Sequence, residues 1–161
     1  MKKNIIYILL LAFIINACEK DDFCTKDTPL TPKLILRFYD DNAQSEFKNV
    51  NNLSVWSEGK DTLTNYISQT IDSIAIPLNT VSTETIYNLK TSETGNLIDN
   101  KVNKLTIKYT TQDIYVSRSC GFKTIFNSVE ITSDNGWFIS FTPNQLETIN
   151  NEYNAHVKVY H

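Results

Sequence analysis

The sequence predicts an all-β domain: an antiparallel two-sheet β-sandwich with Greek-key or immunoglobulin-like connections, following an N-terminal signal helix. Three observations carry this. About eight to ten short segments of alternating apolar and polar residues recur at spacings near ten residues, the rhythm of a sandwich or small barrel. Val, Ile, Thr, Tyr and Phe recur throughout, alongside 18 asparagines and 18 threonines, types that favour strands and turns. Long Ala/Leu/Glu/Lys segments with helical period are absent.

The chain starts Met1-Lys2-Lys3-Asn4, followed by the apolar run from Ile5 to Ile15. A basic start and an apolar core of about a dozen residues match the n- and h-regions of a secretory signal. A spanning helix needs roughly 20 apolar residues, and this run stops short. Residues 1–17 are therefore expected to be a signal peptide and 18–33 a tether. A single sandwich domain is expected over 34–161.

Within "EKDDFCTKDTPLTPK", Pro29 and Pro32 and the charges predict an extended tether without helical period. Leu34, Leu36 and Phe38 alternate with Ile35, Arg37 and Tyr39, so the first strand is expected to be covered on both faces. Leu53 and Val55 share one face of the next strand, with Ser54, Trp56 and Glu58 on the other. Residues 61–68 read as a weak strand. Ile74, Ile76 and Leu78 form another apolar stripe, with Pro77 marking an edge or a strand end. Tyr87 and Leu89 face together, as do Leu105, Ile107 and Tyr109.

A break is expected near Thr111-Gln112, and then Ile114, Val116, Cys120 and Phe122 on one face. The apolar parity moves from even to odd positions before Val129 and Ile131. A bulge or a strand break between Thr124 and Ser128 would do this. Trp137, Ile139 and Phe141 read as one core-facing stripe, Pro143 as its stop, and 144–152 as room for one helical turn. Val157 and Val159 close the pattern facing inward.

Removing residues 1–17 takes two of the 15 basic residues and none of the 18 acidic ones, leaving 144 residues and a net charge near −5. That balance argues against nucleic acid, which needs clustered Lys and Arg. It also argues against electrostatic adhesion to anionic headgroups.

Catalytic and metal-binding patterns are missing. His156 and His161 lie five apart on a predicted strand and so point to opposite faces; solvated or capping roles are expected for both, and no metal. There is no GxSxG elbow, GxGxxG or Walker loop, and only four glycines from which to build one. The carboxylates Asp21, Asp22, Asp40, Asp41, Glu58, Asp61 and Asp72 fall in the tether and turns, where solvated surface is the ordinary reading. Asp40-Asp41-Asn42 lacks EF-hand spacing. The expectation is a protein without catalytic residues or cofactor. Trp56, on one face with Ser54 and Glu58, offers an aromatic surface flanked by hydrogen-bonding groups, which suits the apolar face of a sugar. The alternative is an aromatic packed under a loop.

Ile15-Asn16-Ala17-Cys18 resembles the lipobox of bacterial lipoproteins. The resemblance implies that the Cys18 thiol is alkylated by diacylglycerol and the chain cut at its amino side. Burial at about 0.8 kcal/mol per methylene makes two or three acyl chains a lasting anchor. If Cys18 carries lipid, Cys24 and Cys120 remain as an even pair in an oxidising compartment. They read either as a disulfide, which we favour, or as two buried thiols. Closing a loop of about 95 residues restricts the unfolded chain by roughly 4–5 kcal/mol in the entropy model.

"CEKDD", "FCTKDTPLTPKLILRFYD", "DSIAIPLN", "YVSRSCGFKTIFN" and "AHVKVYH" together resemble the small uncharacterised lipoproteins of Bacteroidota, a family of unknown function. That resemblance implies a β-rich fold and the Cys24–Cys120 pairing, and no activity. Lys20, Asp21 and Asp22 resemble the export signal that surface lipoproteins of that phylum carry after the lipidated cysteine. Thr62 in "DTL" and Ser73 in "DSI" resemble its O-glycosylation acceptors. The expected location is the outer membrane, lipid-anchored and facing outward, with the periplasmic side as the alternative. The expected role is a non-enzymatic binding or structural module. Its partners would be the membrane itself and an envelope protein or glycan.

Overall fold

The computed structural model describes Cys24, Thr28 and residues 30–92 and 100–161. The signal segment 1–17, Cys18, Lys20, Asp21 and Asp22 lie outside the described residues. The chain forms two compact units, one of Met1–Thr28 with Tyr115–Phe122, the other of Pro29–Ile114 with Lys123–His161.

The larger unit is the all-β sandwich that the alternation predicts. Its strands are β1 (Leu34–Tyr39), β2 (Val50–Ser57), β3 (Gln69–Ile71), β4 (Ser73–Ile76), β5 (Glu84–Thr91), β6 (Lys101–Ser117), β7 (Gly121–Ser133), β8 (Ser140–Thr142), β9 (Gln145–Ile149) and β10 (Val157–Tyr160). The facing ends of β6 and β7 belong to the smaller unit. One sheet has the order β4-β1-β10-β8, the other β3-β2-β5-β6-β7-β9.

Among the described strand pairings, all but one are antiparallel. β1 runs parallel to β10, with Leu36 opposite Val157 and Phe38 opposite Val159. β1 is thus interior to its sheet, and its residues Leu34, Leu36 and Phe38 are wholly inaccessible. The opposite face of β1, Ile35 and Arg37, is half-covered. β4 stops at Ile76, one residue before Pro77, and lies at a sheet edge where the missing donor costs little.

Period-two alternation is cleanest in β5, where Thr85, Tyr87, Leu89 and Thr91 point inward. Leu53 and Val55 from β2, Leu105 and Ile107 from β6, and Val129 and Ile131 from β7 join them in one core with β1, β4 and β10. Each such side chain contributes about 1.5–3 kcal/mol through burial. Polar side chains tie the crossover after β4 to this core. The Tyr87 hydroxyl donates to the Pro77 carbonyl (2.6 Å) and the Tyr109 hydroxyl to that of Asn79 (2.8 Å). Burial pushes the Tyr87 hydroxyl up to about 12.

Asn103 is the one wholly inaccessible polar side chain of the described core. Its amide donates to Ser133 Oγ and the Asp134 carbonyl, both at 2.9 Å, while its oxygen accepts from the backbone of Trp137 and Phe138. A buried amide is tolerated only when its bonds are made, and these bonds shape the turn after β7. A side chain on Gly136 would collide with Asn103 and the Val102 carbonyl. Trp137 is buried as expected and donates from Nε1 to the Leu89 carbonyl at 2.9 Å.

Several local expectations are corrected. Residues 61–68 form no strand; Thr64–Tyr66 is a 3₁₀ turn whose Tyr66 hydroxyl bonds the backbone of Ala75. β6 passes through Thr111-Gln112 unbroken beyond its pairing with β5, with β7 alongside, where Asn127 Nδ2 donates to Gln112 Oε1 at 3.2 Å. Residues 145–149 are a strand pairing with β7, not a helical turn. Trp137 and Ile139 do not share a strand face: β8 starts only at Ser140, and Ile139 is 63% exposed.

The parity change in β7 is real and occurs without a break. Ser128 adopts a left-handed φ of 52°, which flips the side-chain phase between Phe126 and Val129 while β9 stays in register. Phe122, read as part of one apolar face with Cys120, is 68% exposed.

Candidate functional site

In the smaller unit, Cys24 and Cys120 are joined by a disulfide, with their Cα atoms 5.0 Å apart. The pair lies at the turn between β6 and β7. There Ser117 Oγ accepts the Cys120 backbone N–H at 3.1 Å, and Gly121 takes φ 70°, a conformation that favours glycine. Tyr115 and Phe122 meet across the turn with ring centroids 5.5 Å apart, edge to face. They are 58% and 68% exposed. Of the described residues in this unit none is buried.

Trp56 and Glu58 are brought to one place, together with residues that sequence reasoning did not single out. On β2, Trp56 is the register partner of Asn88 on β5, which in turn opposes Lys104 on β6. Leu53, Val55, Leu89 and Leu105 point inward, so alternation turns Trp56, Asn88 and Lys104 outward in one row. Glu58 follows the strand, and its Oε1 lies 3.0 Å from Lys104 Nζ. The pair is exposed and contributes roughly 0–1 kcal/mol.

Trp56 is half-buried rather than open, because Thr62 bridges to its backbone and Leu63 bonds back to Val55. The arrangement is an indole with an amide, an ammonium and a carboxylate beside it, a set able to hydrogen-bond hydroxyls around an apolar face. The alternation in "TIYNLKT" and "NKLTIKY" marks Asn88 and Lys104 as outward. Only the register aligns them with Trp56. Thr62 sits in this bridge, and Ser73 opens β4 opposite Arg37.

The larger unit also has a cleft of about 480 Å³ lined by Lys48, Asn51, Lys101, Trp137, Ile139 and His161, among others. Its polar groups hold the chain. Lys48 Nζ donates to the His161 carbonyl (2.7 Å) and lies 3.4 Å from the Asp40 carboxylate. Asp40 is pulled below the usual carboxylate range, chiefly by the Asn42 backbone N–H. The His161 ring packs edge-on against Trp137 and Phe38, and burial lowers its proton affinity.

The two histidines flank β10 and are half-buried rather than solvated. His156 Nδ1 accepts the Ile35 N–H at 3.0 Å, so the ring proton sits on Nε2 and donates to the Asn151 carbonyl, also at 3.0 Å. The His156 backbone N–H donates to the Ile35 carbonyl (2.9 Å), which makes the residue a clasp between β1 and β10. Burial holds its pKa below the ordinary value. Among the described residues, no three His, Cys, Asp or Glu side chains gather as a metal site would need.

A family described as "Family of unknown function (DUF6452)" matches residues 52–161. The match begins inside β2, so Cys24 and β1 precede it while Cys120 lies within it. No curated protein and no solved structure matches the chain.

Proposed function

The chain belongs to the DUF6452 family of unknown function, and within that frame we propose that it is an exported, lipid-anchored accessory protein of the outer membrane, a binding or structural module without enzymatic activity. The Cys24–Cys120 disulfide carries this reading. Disulfides persist in oxidising compartments outside the cytosol, which agrees with the basic and apolar start of the chain. With those two thiols consumed, Cys18 is the one cysteine left, and it stands in the lipobox-like Ile15-Asn16-Ala17-Cys18. The acidic tether Glu19–Asp22 then follows the lipid, with Lys20, Asp21 and Asp22 as the sorting signal for outward display.

Metabolic labelling with an acyl probe tests the anchor: wild type takes up label and Cys18→Ala does not. Protease added to intact cells degrades the wild-type protein if it faces outward. Label on the Ala variant would sink the anchor, and resistance to the protease would sink surface display.

The row Trp56, Asn88 and Lys104, with Glu58 beside it, favours a second reading, a glycan- or small-ligand-binding face. Retention on immobilised envelope polysaccharide, lost in Trp56→Ala with folding intact, is the outcome it requires. Equal retention of both proteins would remove it.

A further inference from the structure

The disulfide does more than close a loop, because it joins the tether to a particular surface. Six residue steps separate Cys18 from Cys24, at most about 20 Å of fully extended chain. Cys120 Cα is another 5.0 Å away. An acyl group on Cys18 therefore keeps the β6–β7 turn within reach of the bilayer surface whatever path the tether takes.

What the turn presents there is aromatic and cationic. Tyr115 and Phe122 stand side by side and mostly exposed, and Arg118 at the apex is exposed too. Residues 115–122 include no carboxylate in a chain whose net charge is −3. Other exposed rings differ. Phe47 already has Arg37 over its face at 4.0 Å and Tyr39 beside it, whereas among the described residues no ring packs against Tyr153. A Tyr–Phe pair with an apolar body and a hydroxyl suits the headgroup layer, where aromatics concentrate. The guanidinium adds attraction to anionic headgroups.

We propose that Tyr115, Phe122 and Arg118 form a membrane-interface contact, the aromatic pair entering the headgroup region of the bilayer that holds the anchor. This rests on the lipidation of Cys18 proposed above. The disulfide then acts as a leash of fixed length that delivers the turn to the lipid.

The test uses the full lipidated protein carrying Phe122→Trp, reconstituted in phosphatidylethanolamine–phosphatidylglycerol vesicles with or without brominated acyl chains. Wild type supplies the background from Trp56 and Trp137. The added indole is expected to emit at shorter wavelength than in water and to lose emission in the brominated vesicles. Tyr115→Trp repeats the measurement from the other side of the pair and covers a folding failure of the first variant. Mass spectrometry of the same samples reports the acyl group on Cys18. Acylated protein whose added indole stays unquenched at both positions overturns the contact alone. Absence of the acyl mass overturns the anchor and this contact with it.

Discussion

Phe126 and Phe122 lie four residues apart on one strand and are held by different physics. Phe126 is wholly inaccessible and packs edge-on against Tyr109 at 5.0 Å within the sandwich core. Phe122 belongs to the smaller unit, where no described residue is buried and a disulfide cross-links the turn. Burial stabilises only where apolar faces meet, so residues with no buried neighbour lack that source of stability. A disulfide acts instead through the unfolded chain. The loop closed by Cys24–Cys120 contains all of β1 to β5 and β6, so a bond in the small unit bears on the unfolding of the large one.

The contrast is broken most sharply by truncating each ring. Phe126→Ala is expected to cost about 3–5 kcal/mol in urea unfolding through the lost contacts and the cavity left behind. Phe122→Ala should cost no more than about 0.5 kcal/mol, as at other exposed positions. Equal losses would mean that the tip is buried in solution.

Next in size is the cross-link itself. Cys24→Ser with Cys120→Ser should lower stability by roughly 2–4 kcal/mol, and reductant should bring wild type to the same level. Trypsin should then cut at Arg118 sooner, before the sandwich opens. Loss of cooperativity rather than a shifted midpoint would instead show that the sandwich depends on the tip for its structure.

The smallest effect sharpens the account of the larger unit. Burial lowers the pKa of His156 and of His161 below the ordinary 6.5. The unfolded chain therefore binds protons more readily than the folded one between the lowered values and 6.5. Stability is fully present above about 6.5 and falls as pH drops through that window. Protonating His156 also removes the acceptor for the Ile35 N–H, while Glu152 nearby moderates the loss by favouring the charged form. Urea midpoints measured between about pH 5 and 7.5 should rise with pH, and His156→Gln should flatten part of that slope. A midpoint falling with pH would reverse the assignment.

Much of the architecture is legible in the residues themselves. Leu34, Leu36 and Phe38, the alternation of Tyr87 and Leu89, and the closing Val157 and Val159 all lie where period two places them. The parity change before Val129 is visible too, although its cause, a left-handed Ser128, is not. Misread segments share one feature: their covering comes from elsewhere in the chain. Residues 145–149 are a strand because β7 offers an edge. Phe122 faces solvent because the ring described against it, Tyr115, is itself exposed, and no window of sequence around "SCGFKT" carries that fact. Asn103 reads as one more polar residue between Val102 and Lys104, yet becomes the acceptor for two backbone groups more than thirty residues away.

By itself, the sequence determined the all-β class and the inward face of most strands. These follow from local chemistry, the alternation of side chains on a pleated chain. Tertiary structure alone decided that β1 lies parallel to β10, that Asn88 and Lys104 align with Trp56, and that Tyr115 meets Phe122 on a bare turn. Period two says which side chains share a face, but register and partner strand depend on chain closure over long separations. Exposure depends on what covers the face once the chain has closed.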